Sequence, residues 1–196
     1  MNLFNEAEFL QICEKLKTDA IIKDVTIRYS APGYFNRVKS VVQRDRRGEV
    51  VFCVVRPTGK VITVTCDEYP ENIYRIPTGG IGHDEDIFGA VFREVKEELG
   101  LEVEIREFAG VIRIRFEHEK EHVMFYSYIF ILDEVGGRLL EDASDDEVSE
   151  IREVDKEGLA QFARSLYDLK GKWRDWGKFR YVTTNSVLQW FEGKGI

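Results

Sequence analysis

Cysteine is scarce in this 196-residue chain and poorly placed for chemistry. Cys13, Cys53 and Cys66 are odd in number and form no CxxC pair, which excludes a closed disulfide framework and a thiolate zinc site. They read as small buried hydrophobes in a reducing compartment. No run of about 18 apolar residues occurs, so no membrane span is expected. Met1 to Asp19 alternates apolar with charged residues, unlike a basic end followed by an apolar leader block, and a cytoplasmic protein is expected. Positive charge is in deficit, with 28 Lys and Arg against 36 Asp and Glu, a net charge of -8. Such a body repels phosphodiester backbones, so nucleic acid is not expected as a partner. Repeats and low-complexity tracts are absent, and the first 47 residues hold no clear helix-turn-helix.

What remains is a globular composition, 43% hydrophobic and 33% charged, long enough for one sizeable core. Phe4, Phe9, Leu10, Cys13 and Leu16 recur at helical spacing, which predicts an amphipathic helix ending near Thr18. Pro32 and Gly33 mark Ser30 to Asn36 as a loop, and the β-branched runs Val38 to Gln43 and Val50 to Val55 predict strands around a charged turn, Asp45 to Gly48. A second turn at Pro57 to Lys60 makes Val50 to Thr65 a hairpin. Ile87, Val91, Val95 and Leu99 then recur every four residues until Gly100, the most regular helical pattern in the chain. Strands are expected at Val103 to Ile114 and Val123 to Leu132, joined by the polar Glu117 to His122, and again at Val148 to Val154. Helices are expected at Leu159 to Leu169 and Thr184 to Phe191. Strands interleaved with helices predict an α/β fold, a mixed β-sheet covered on both faces.

The chemistry concentrates where a glycine-rich loop, Gly79, Gly80 and Gly82, runs into an acidic helix. At about 100° per residue, Glu94 and Glu98 lie about 40° apart and Glu97 about 60° to the other side of Glu94, so three carboxylates share one stripe. Like charges at these spacings cost a few tenths of a kcal/mol each, and anions near a helix C-terminus are disfavoured further. A hard dication reverses the sign, because Mg²⁺ or Mn²⁺ takes carboxylate and carbonyl oxygens. Arg93 can pair with Glu97 one turn on or reach back to Glu85, holding the loop against the helix. The glycines let a peptide carbonyl or amide approach a metal or phosphate.

Gly79 to Leu101 resembles the Nudix hydrolase signature, G-x5-E-x7-R-E-U-x-E-E-x-G-U with U aliphatic. Gly79, Glu85, Arg93, Glu94, Val95, Glu97, Glu98, Gly100 and Leu101 fill every specified position. The surroundings are similar too: the Val50 to Thr65 hairpin, Tyr74 to Pro77 before the loop, and Asp146 to Ile151 leading into a late strand and helix. Asp84, where many members carry glycine, and Glu153, where tryptophan is common, depart from the pattern. The resemblance implies a Nudix-type α/β/α sandwich, with a Nudix domain at 48–169, an N-terminal helix and strand extension at 1–47, and a C-terminal aromatic and basic segment with a helix packed on the domain at 170–196. It implies metal-dependent hydrolysis of the diphosphate in a nucleoside diphosphate derivative: a nucleotide sugar, ADP-ribose, a dinucleoside polyphosphate or a modified nucleoside triphosphate. Mg²⁺, or Mn²⁺, is the expected cofactor. Glu94 and Glu98 are the expected metal ligands, with Glu97 a further ligand or a base and the Gly79 carbonyl another ligand. Glu85 and Arg93 orient the site, and Arg75 and Gly80 contact substrate. The base stays open between Glu94, Glu97 and an outside carboxylate, Glu141, Asp145, Asp146 or Glu147. The alternatives are a catalytically silent nucleotide sensor, which no missing box carboxylate supports, and an RNA 5′-end pyrophosphohydrolase, which the acidic body disfavours.

Weaker signals have plainer readings. His118 and His122 lack a third ligand and fit a solvated turn, and His83 is a single loop histidine. From Lys170 to Tyr181 cations interleave with aromatics. Docking of the last helix by Trp173, Trp176 and Phe179, with the cations in solvent, is the expected role, and base stacking, a pocket wall or a homodimer contact are the others. Tyr74, beside Arg75, suits either a nucleotide contact or strand packing.

Overall fold

A computed structural model describes residues 4–144 and 147–196. The elements run α1 (Glu6–Leu16), β1 (Ile21–Arg28), α2 (Pro32–Arg44), β2 (Arg46–Val55), β3 (Val61–Thr65), β4 (Thr78–Gly82), α3 (Ile87–Leu99), β5 (Leu101–His118), β6 (Glu121–Gly137), β7 (Glu150–Val154) and α4 (Lys156–Tyr167). A 3₁₀ turn (Gly171–Trp173) then leads into α5 (Arg174–Phe191).

One mixed sheet carries seven strands in the order β1-β5-β6-β2-β3-β7, with β4 also on β2. β1–β5 and β2–β6 pair in parallel, and β5–β6 form a long antiparallel hairpin. β2 shows why both faces are covered. Its side chains alternate sides, so Val50, Phe52 and Val54 enter a core with Phe9, Val91, Val95 and Leu99, under α1 and α3. Val51, Cys53 and Val55 enter the opposite core with Phe35, Val38, Val42, Leu159 and Phe179, under α2, α4 and α5. The expected α/β sandwich with a mixed sheet is the fold observed.

Three local expectations are corrected. Ser30 to Asn36 and Val38 to Gln43 are not a loop and a strand; Pro32 opens α2, which runs to Arg44. Phe35, Val38 and Val42 are its buried residues, a three-and-four spacing that belongs to a helix, and burial of that face outweighs the β-branched propensity. The charged turn shrinks to Asp45, because Arg46 already pairs with Gly82. The last helix begins at Arg174 rather than Thr184, taking in most of the aromatic and basic segment.

The box helix is closed at both ends. Asp86 caps α3 by accepting from the Gly89 N–H at 2.9 Å, and Gly100 ends it at φ 73°, where a side chain would also strike the backbone of Asp142 and Ala143.

Candidate active site

The loop and helix of the box are tied together by one arginine. Arg93 donates from Nε and Nη2 to both oxygens of Glu85 at 2.7 and 2.9 Å, and from Nη2 to the Gly80 carbonyl at 3.0 Å. Its Nη1 donates to Glu94 and to Glu97, each at 2.9 Å. Glu85 in turn accepts from the Gly82 N–H at 2.9 Å, so the loop is fixed from both sides. Both routes open to Arg93 in the sequence are therefore used at once. The guanidinium holds the Glu85 carboxyl below the usual carboxylate range, and its carboxylate partners push Arg93 upward.

The three acidic side chains differ in exposure. Glu97 keeps 41% of its side-chain surface, Glu94 keeps 12%, and Glu98 is buried at 4%. Burial raises the Glu94 pKa despite Arg93 beside it. Gly79 packs so closely on the Glu94 carboxyl that a Cβ there would collide with it, and Gly80 lies against Arg46, 2.7 Å from where a Cβ would sit to Cζ. A Cβ at Gly79 would force the Glu94 carboxyl to move, and one at Gly80 only the flexible end of Arg46, while β4 pairing with β2 sets Gly79 opposite Val50.

As folded, no three His, Cys, Asp or Glu side chains among the described residues converge as a metal cluster, and Arg93 bridges Glu94 and Glu97. The residues nevertheless fit a hard dication. Their donors are carboxylate and carbonyl oxygens, Gly79 leaves its peptide against Glu94, and Glu98 presents a carboxylate that was withdrawn from water at a cost a cation offsets.

Glu98 lines a cavity of about 730 Å³ that also takes in Arg46, Arg75, Thr78 and Glu147. Arg75 is held there by donating to the Tyr69 hydroxyl at 3.0 Å, the Ile76 carbonyl at 3.1 Å and Thr78 Oγ1 at 3.2 Å. Tyr74 does not join it: its ring stacks on Phe162 of α4, 4.9 Å between centroids. Of the outside carboxylates, Glu147 lines the cavity, Glu141 pairs with Arg138, and Asp145 and Asp146 lie outside the described residues. His83 is exposed, and His118 contacts the Tyr29 carbonyl through Nδ1 at 3.1 Å.

Two contributions escaped the sequence. Arg47 clamps Glu8 of α1 through two bonds of 2.7 Å and donates to the Glu85 carbonyl at 2.9 Å, so the N-terminal helix supports the box loop. Arg180, expected in solvent, instead pairs at 2.8 Å with the buried Glu49, which lies opposite Gly80 in the sheet, and Ser127 donates to the other Glu49 oxygen at 2.8 Å. Trp176 and Phe179 are buried as expected, while Trp173 is half-buried and lines the cavity.

The NUDIX domain profile matches residues 40–176, and the chain belongs to that family. An ADP-ribose pyrophosphatase of Methanocaldococcus jannaschii is 28% identical over 106 residues, 53% of this chain. The match spans 62% of that relative, less than two thirds of its length. A solved NUDIX hydrolase of Nitrosomonas europaea shares the fold at TM-score 0.53 and 14% identity, covering 76% of this chain and 91% of its own. A solved ADP-ribose pyrophosphatase of Streptococcus suis, 16% identical, covers 73% of this chain and 90% of its own at TM-score 0.44.

Proposed function

We propose that this chain is a divalent-cation-dependent hydrolase that cleaves the diphosphate linkage of a nucleoside diphosphate derivative. The observation that carries the reading is the Arg93-centred lock, which ties Glu85 and the Gly80 carbonyl of the loop to Glu94 and Glu97 of α3, next to Glu98, which lines a cavity of about 730 Å³. Glu94, Glu97, Glu98 and the Gly79 carbonyl would hold the cation, Mg²⁺ or Mn²⁺. Bound there, it would supply charge neutralisation on the phosphates and acidify an attacking water. Arg93 and Glu85 keep the loop in register with the helix. Arg75, with Arg46 beside Gly80, lines the cavity as a cation for the diphosphate oxygens. Hydrolysis places a water oxygen on phosphorus, breaks the bridging P–O bond and passes a proton to a carboxylate, for which Glu147, exposed and lining the cavity, is the candidate outside the set that would hold the cation.

ADP-ribose is the first compound to test, because the M. jannaschii relative bears that activity in its name. Purified protein should be incubated with ADP-ribose, nucleotide sugars, dinucleoside polyphosphates and modified nucleoside triphosphates, with Mg²⁺, Mn²⁺ or chelator, and the products separated. Turnover of one class only with metal, yielding a nucleoside monophosphate, is the expected result. Failure to cleave any of them with either ion defeats the proposal.

A further inference from the structure

One wall of the cavity is built from segments distant in sequence. Tyr34 of α2, Tyr69 and Trp173 are half-buried there and pack as a group against the buried Trp176. The rings of Tyr69 and Trp173 stand edge to face at 6.2 Å, and Trp173 and Trp176 at 5.4 Å. Behind them Arg180 lines the same cavity with its guanidinium over the Phe179 ring, 4.4 Å from the centroid. One end of that guanidinium is bound to Glu49, but its Nε–H is buried and meets no acceptor among the described residues. A buried donor left unmet costs stability, and an acceptor atom brought by a ligand removes that cost.

The charge in this wall selects the kind of ligand. Glu49, 3% exposed, neutralises Arg180, so a phosphate placed here would face a buried carboxylate. The half-buried rings of Tyr69 and Trp173, with Arg75 5.8 Å and Lys172 5.4 Å from their centroids, and the unmet Arg180 Nε–H suit an uncharged flat heterocycle with a ring nitrogen or carbonyl at its edge. We infer that this aromatic wall receives the nucleobase of the substrate, stacked on Trp173 beside the edge-on Tyr69, with an edge acceptor on Arg180. The inference rests on the reading that the box cleaves a nucleoside diphosphate derivative, and it makes the C-terminal segment a determinant of substrate choice.

Binding measured in chelator separates the two claims, since no hydrolysis is needed. Adenosine and uridine 5′-monophosphates should be compared with ribose 5-phosphate by calorimetry on the full chain. The better nucleotide should bind at least about tenfold tighter than ribose 5-phosphate, the worth of one stacked base. Trp173→Leu should abolish that preference. So should the double variant Glu49→Gln with Arg180→Met, which removes the pair together and leaves no buried charge alone. Equal binding of nucleotide and sugar phosphate, no nucleotide binding up to millimolar, or a preference that survives both variants overturns the inference. A chain that prefers the nucleotides yet hydrolyses nothing sinks the proposed activity alone; one that hydrolyses diphosphates with no preference sinks the base site alone.

Discussion

Arg93 and Arg180 both engage carboxylates, and they do so in opposite ways. Arg93 bonds to groups 1 to 13 residues away in sequence and keeps 38% of its side chain in water. Arg180 joins Glu49 across 131 residues and is largely withdrawn from solvent. The first arrangement is local and hydrated, so it can be rearranged when a cation arrives. The second is fixed by the packing of α5 on the sheet, and loss of either partner strands a charge in the interior. On the proposed reading Arg93 therefore serves the chemistry, whereas Arg180 is bound up with the stability of the fold as well as with the proposed base site.

Removal of each arginine sharpens that contrast. Arg180→Met alone should destabilise the protein by about 3–5 kcal/mol in denaturant unfolding, because Glu49 is left buried and uncompensated. Adding Glu49→Gln should restore most of the loss. Glu98→Gln, the box counterpart, should leave the unfolding midpoint nearly unchanged or raised and cut turnover by roughly a hundredfold or more, about 3 kcal/mol of barrier. A Glu98→Gln enzyme with full activity would remove the reason for treating the box as the reacting side.

The Arg180 side also carries a pH signature that the box does not need. Burial pushes the Tyr34 hydroxyl from 10.0 up to about 12. A group that keeps its proton longer when folded contributes stability that is complete below pH 10 and disappears as pH rises toward 12. This amounts to roughly 3 kcal/mol. Thermal unfolding followed from pH 9 to pH 12 should show that decline, and Tyr34→Phe should lessen it, the remainder coming from Tyr29, Tyr128 and Cys53, whose pKa values burial also raises. The smallest effect is expected at the start of α3, where Asp86→Ala removes a cap worth about 1 kcal/mol.

The same contrast explains what was legible in the sequence. The box helix could be read because its signals are near neighbours: Ile87, Val91 and Val95 are buried as their spacing requires, and Arg93 bonds to Glu85 and Glu97 within its reach. α2 was misread because Val38, Val41 and Val42 imitate a strand; the pattern Phe35, Val38, Val42 after Pro32 carried the helical signal. Glu49 and Arg180 could not be paired from sequence at all, since nothing near either residue encodes the other. Lys170 to Tyr181 disclosed the aromatic wall only as a composition, and the fold decided which of its side chains face the cavity.

The most direct test is Mn²⁺ binding to the full chain and to Glu94→Gln and Glu98→Gln, measured by calorimetry or paramagnetic resonance with no substrate present. Saturable binding by the parent chain, weakened at least about tenfold in each variant while both stay folded, is the predicted result. Equal Mn²⁺ affinity in all three proteins, or none in the parent, would contradict the assignment of these carboxylates to a divalent cation.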